Sequence, residues 1–172
     1  THTSRSQAQQ YTPQQLVSVQ VADFGLARSI ATKEEEGPPV LTEYVATRWY
    51  RAPEILLGST KYSKAVDMWS VGCIIGELIT GKAIFPGSST LNQIERILEI
   101  MDADQQGTFT SLTKDIEDVE SPLATNILDN INISKKKSFQ SYFPGASEEV
   151  IDLLKGLLKF SPLERLTAEQ AL

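Results

Sequence analysis

Cysteine and histidine are nearly absent from this 172-residue chain, which holds one of each, Cys73 and His2. A single thiol excludes an intramolecular disulfide and suits a reducing compartment. Cys73 lies in an apolar run, where it reads as a small buried hydrophobe. No run is long enough for a bilayer span, which needs about 20 mostly apolar residues. The longest, Val66 to Ile79, has 14 residues and contains Asp67 and Glu77. The first twenty residues lack the apolar stretch of a secretory signal. Without that route, Asn132-Ile133-Ser134 is a chance match to the glycosylation sequon. Positive charge is not in excess either. A net charge of -6 gives no basic field for nucleic acid or an anionic membrane, and Lys135-Lys136-Lys137 reads as a solvated loop. The absences point to a chain of the cytoplasm or nucleus with no nucleic-acid or membrane partner. Its length and its 41% hydrophobic content suffice for one domain with a core.

Composition divides the chain. Residues 1–15 are glutamine-rich, with Arg5 as their only charge, and read as an unstructured leader. Leu16 to Val21 alternates apolar and polar, as a short half-buried strand does. Thr32 to Leu41 is charged and proline-bearing and reads as a mobile loop.

From residue 53 the helical period dominates. Pro53 suits a helix N-terminus, with a short turn from Glu54 to Leu57 stopped by Gly58. Ser63 suits the cap of a helix running to about Thr80 and ending at Gly81. That helix is apolar on nearly every face, the pattern of a buried central element. Thr90 and Gln93 form a capping-box pattern ahead of Leu91, Ile94, Ile97, Leu98 and Met101 on one face. Two short helices are expected near 111–118 and 122–130. Ser147, followed by Glu148 and Glu149, caps a helix with the stripe Val150, Leu153, Leu154, Leu157 and Leu158. Thr167 to Gln170 is another capping box, two residues from the end, and one turn is not stable alone. Residue 172 is therefore not expected to be a natural domain boundary.

Three triplets carry the chemistry: Asp23-Phe24-Gly25, Thr42-Glu43-Tyr44 and Ala52-Pro53-Glu54. In this order and spacing they resemble the activation segment of a protein kinase. The run Val45-Ala46-Thr47-Arg48-Trp49-Tyr50-Arg51-Ala52-Pro53-Glu54 narrows the resemblance to the mitogen-activated protein kinases, of the extracellular-signal-regulated type. The resemblance implies a mainly α fold covering about residues 16–172. It would be an incomplete kinase C-terminal lobe: a short strand, the activation segment over 23–54, a central buried helix and surrounding helices. The segment 102–140 would be the family insert.

The same resemblance implies roles. Asp23 would hold the Mg²⁺ that bridges ATP phosphates. Thr42 and Tyr44 would be phosphorylated, by an upstream activating kinase or by the full-length kinase itself, and protein substrates would be proline-directed. Arg28 would receive the phosphate on Thr42, and Arg48 and Arg51 the one on Tyr44. Val45, Ala46, Thr47 and Arg51 would shape the pocket for the substrate residue after the acceptor. Glu54 and Arg165 would form a buried ion pair, and Asp67 and Trp69 would belong to the central helix, both in structural roles.

Against this, the sequence has no G-x-G and no H-R-D. The positions where the family carries its catalytic aspartate and asparagine hold Arg5 and Gln10. The chain alone is expected to be inactive, to bind no ATP, and to expose the apolar surface of its central helix. Three readings stay open: part of a longer Ser/Thr kinase, a non-catalytic kinase-like binding module, and an unrelated helical domain. Gly76-Glu77-Leu78-Ile79-Thr80-Gly81-Lys82-Ala83 is a P-loop decoy, because Ala83 stands where Ser or Thr would bind Mg²⁺.

Overall fold

A computed structural model describes residues 20–24, 47–59, 63–101, 117–121, 124–128, 131 and 138–172. Among these, the regular structure is helical. A 3-10 turn, Arg48–Tyr50, leads into α1 (Pro53–Leu56) and α2 (Ala65–Thr80). There follow α3 (Thr90–Met101), α4 (Ala124–Leu128), α5 (Phe139–Tyr142) and α6 (Glu148–Leu157). The leader 1–15, the loop 32–41 and most of 102–140 lie outside the described residues. So does the expected strand, except for Gln20 and Val21, which are in no strand.

Local signals set the ends of most helices. Pro53 occupies the first turn of α1, where its missing N–H costs nothing, and Gly58 ends it at φ 76°. The Ser63 hydroxyl accepts from Ala65 N–H at 3.2 Å where α2 begins. Gly81, at φ 71°, ends α2 in the left-handed region that glycine adopts without a Cβ penalty. Ser147 Oγ accepts from Val150 N–H at the start of α6. Hydrogen bonds from the Ser147 hydroxyl and its own backbone hold Glu149 below the usual carboxylate range. At the end of the chain, Thr167 Oγ1 accepts from Gln170 N–H at 3.2 Å. Gln170 Oε1 accepts from Thr167 N–H at 2.9 Å, which closes the expected capping box.

The core sits between α2, α3 and α6. Trp69 of α2 stacks on Phe85, with centroids 5.5 Å apart. Ile94, Ile97 and Leu98 of α3 and Ile151, Leu154 and Leu157 of α6 are buried, as is Leu158 just after it. Leu91, expected on the buried stripe of α3, is exposed, and Ile100 is buried instead. A Cβ on Gly72 would lie 3.0 Å from Leu157 Cβ, so α2 and α6 cross where α2 has no side chain. Gly76, the first glycine of the P-loop decoy, is also a packing position: a Cβ there would meet Ile84 and Phe143.

α2 is buried on one side and exposes apolar surface on another, as expected of the central helix in this chain. Trp69, Gly72, Cys73 and Gly76 are buried, whereas Asp67, Val71, Ile74 and Leu78 form an exposed stripe. The last three are 40%, 50% and 79% exposed. Apolar composition on nearly every face does not ensure burial, and this face of α2 is exposed to solvent. Such a stripe favours self-association. Replacing Ile74 with Gln and Leu78 with Lys should reduce dye binding by exposed apolar surface and reduce sedimenting oligomers. Stability should change by no more than about 0.5 kcal/mol, as for other surface positions. Unchanged self-association in the double variant would refute this reading of the stripe.

Candidate functional site

The site is built around the turn that precedes α1. Tyr50 N–H donates to Thr47 C=O at 3.3 Å and Arg51 N–H to Arg48 C=O at 3.1 Å, which closes the turn. Two helices hold it from opposite sides. From α2, the Ser70 hydroxyl donates to Tyr50 C=O at 2.9 Å, and Glu77 Oε2 accepts from the Tyr50 hydroxyl at 2.6 Å. The carboxylate that accepts this bond raises the Tyr50 pKa. From α3 and the segment before it, Gln93 Nε2 donates to Trp49 C=O at 3.3 Å. Trp49 Nε1 donates to Gly87 C=O at 3.0 Å, and Arg48 Nη1 donates to Ser88 C=O at 3.3 Å.

Glu54 and Arg165 meet 111 residues apart in sequence. Arg165 Nη1 and Nη2 donate to Glu54 Oε1 and Oε2 at 2.8 and 3.0 Å, a bidentate pair with both side chains buried. The remaining guanidinium donors go to backbone carbonyls: Nη1 to Ala65, Nη2 to Phe160 and Nε to Lys159. The guanidinium carbon lies 5.2 Å from the Trp69 ring centre. All five N–H groups of the arginine are therefore used.

The other residues singled out from the sequence divide as follows. Thr47 is exposed and Arg48 and Arg51 are half-buried, all three in or beside the turn. Arg28, Thr42, Tyr44, Val45 and Ala46 lie outside the described residues. Asp23 is exposed, with φ 61°. Asp67 is exposed in the first turn of α2, and Trp69 is fully buried beneath it. Cys73 is buried, and burial pushes its thiol up to about 12.

Sequence reasoning missed three polar contacts. Gln93 had the right prominence but the wrong role. The hydroxyl capping α3 is Ser89, which accepts from Asn92 N–H at 3.1 Å, while the Gln93 amide turns inward. Ser161 donates to Asp118 at 2.6 Å, and Ser121 donates to Leu57 C=O. No local spacing signals either, since each joins segments far apart in sequence.

Among the described residues, no cluster of three or more His, Cys, Asp or Glu side chains is placed to hold a metal ion.

The turn is thus tied to α2 and α3, and the glutamate of the short helix that follows it is clamped by a distant arginine. The family model described as "Protein kinase domain" matches residues 9–172. Extracellular signal-regulated kinase 2 of Dictyostelium discoideum is 56% identical over 156 residues, covering 90% of this chain and 40% of that protein. Mitogen-activated protein kinase 15 of Xenopus laevis is 49% identical over 156 residues, covering 90% of this chain and 25% of its own length. Among solved structures, MAP kinase LmaMPK10 from Leishmania major aligns with a TM-score of 0.62 at 35% identity. That match covers 73% of this chain and 35% of the other. The chain belongs to the protein kinase family, and within it to the mitogen-activated protein kinases. It spans less than half the length of these relatives.

Breaking the buried pair from either side should be costly. Glu54→Ala and Arg165→Ala should each destabilise by about 3–5 kcal/mol, because each strands the other charge. The double variant should lose less than the sum, since the two residues share one network. Urea unfolding measures all three. Cys73 should resist alkylation by iodoacetamide at pH 8 until the chain unfolds, because the protonated thiol is a poor nucleophile. The sign of the linkage follows: the raised thiol pKa favours the fold fully below pH 9, and that contribution falls as pH rises toward 12.

Proposed function

We propose that this chain is the substrate-side part of a Ser/Thr kinase that transfers the ATP γ-phosphate to Ser or Thr followed by proline. Members of the family use ATP with Mg²⁺, act on protein substrates and answer to upstream kinases. In this reading Asp23 is the Mg²⁺ ligand of the assembled kinase. Thr42 and Tyr44 are the regulatory phosphate acceptors, with Arg28 receiving the first phosphate and Arg48 and Arg51 the second. Val45, Ala46, Thr47 and Arg51 line the pocket after the acceptor. The run Val40 to Gly58 followed by Val66-Asp67-Met68-Trp69 is the basis for a finer placement among the atypical extracellular-signal-regulated kinases, and the proposed compartment is the cytoplasm or nucleus.

The observation that carries the reading is the clamping of Glu54 by Arg165. It fixes the downstream end of the segment that begins at Asp23, so that phosphate captured by Arg48 or Arg51 acts on a turn with a rigid base. Phosphorylation orders a loop only where guanidinium groups and a fixed scaffold receive it. The 172-residue chain itself lacks the H-R-D base and the glycine-rich loop. It therefore acts as a kinase only with the rest of such a domain, and alone it is inactive.

A kinase that activates relatives of this family should phosphorylate the chain at Thr42 and Tyr44, as mapped by mass spectrometry. The chain alone should show no phosphate transfer to a Ser-Pro peptide and no thermal shift with Mg-ATP. Transfer by the pure chain, or modification elsewhere with Thr42 and Tyr44 untouched, would sink the reading.

A further inference from the structure

Gln93 lies in the first turn of α3, fully buried, and both ends of its amide are engaged away from the helix. Its Oε1 accepts from Gly87 N–H at 2.9 Å, a donor it shares with Phe85 C=O at 2.9 Å, and its Nε2 donates to Trp49 C=O at 3.3 Å. Trp49 returns the link, its indole N–H donating to Gly87 C=O at 3.0 Å. Gln93, Gly87 and Trp49 thus form a closed ring of three hydrogen bonds. Two of these bonds cross 38 and 44 residues of sequence.

The ring is demanding about its members. The position needs one acceptor facing Gly87 and one donor facing Trp49, which a neutral amide supplies. An ionised carboxylate offers acceptors only, and a thioether offers no donor. With the amide reversed, donor would face donor and acceptor would face acceptor. Gly87 is equally constrained, because a Cβ there would sit 2.5 Å from Gln93 Cα.

We infer that Gln93 is a positioning residue for the substrate pocket. It fixes the Trp49 backbone, and through it the turn from Thr47 to Arg51, at a set distance from α3. It acts through the turn and does not touch substrate. The inference rests on the proposed reading of Thr47 and Arg51 as pocket residues.

Backbone amide exchange on the 172-residue chain tests the ring. In Gln93→Met, the amides of Gly87, Tyr50 and Arg51 should exchange faster together by about tenfold or more, while the interiors of α2 and α6 keep their rates. Trp49→Phe is the second variant, at a partly exposed position that the core does not need. It removes no bond from the Gly87 amide, yet that amide should exchange faster because the ring opens as a unit. Faster exchange at Gly87 alone in Gln93→Met would overturn the inference. So would a uniform rise at all amides, or an unchanged Gly87 in Trp49→Phe.

A separate arm tests the pocket. Fluorotryptophan-labelled chain, with the Trp49 resonance assigned by Trp49→Phe, is titrated with a Ser-Pro peptide and its Ser-Ala counterpart. The wild type should respond more to the Ser-Pro peptide, and Gln93→Met should lose that difference. Equal responses in wild type, with the exchange results intact, would sink the pocket reading alone. A Gln93→Met chain that still discriminates would overturn the positioning role.

Discussion

One buried guanidinium organises this structure. Taking the charges of Glu54 and Arg165 out of water costs several kcal/mol for each ion, and only good geometry with full hydrogen bonding offsets it. The geometry here meets that demand. Two N–H groups of Arg165 grip the carboxylate, the other three take the carbonyls of Ala65, Lys159 and Phe160, and the flat face lies against Trp69. The partners come from three pieces of the fold: α1, α2 and the chain just after α6. None of these can shift without leaving a buried charge or donor unpaired. The pair is therefore a registration point more than a source of net stability.

That registration gives the turn before α1 its significance. Ser70 and Glu77 of α2 hold it on one side, and Gln93 and the carbonyls of Gly87 and Ser88 hold it on the other. A loop tied so densely behaves as part of the scaffold. Arg48 and Arg51 therefore sit on a platform whose position is set by α2 and α3.

Much of the fold was legible in the sequence, and the elements that were legible share a cause. Helix ends at Pro53, Gly58, Gly81 and Ser147, and the capping-box turn at Thr167, follow from backbone constraints within a few residues, so local chemistry decides them. The Glu54–Arg165 pair was also legible, through its resemblance to kinase motifs and not through spacing, since 111 residues separate the two. Gln93 was misread because T-x-x-Q fits a capping box as well as it fits an inward-facing amide. Ser89, one residue earlier, supplied the cap. Leu91 is exposed and Ile100 buried because burial near each end of α3 depends on what packs there, which apolar periodicity does not carry.

The amino-acid sequence by itself determined where most of the helices start and stop and the family to which the chain belongs. Short-range sterics and hydrogen bonding act within a few residues and leave their mark on local sequence. The tertiary structure alone decided which faces are covered. It placed Val71, Ile74 and Leu78 of an almost uniformly apolar helix in the open, and turned Gln93 from a cap into a brace between α3 and Trp49. Burial and the pairing of distant polar groups depend on what packs against them, and a residue's near neighbours in sequence do not carry that information.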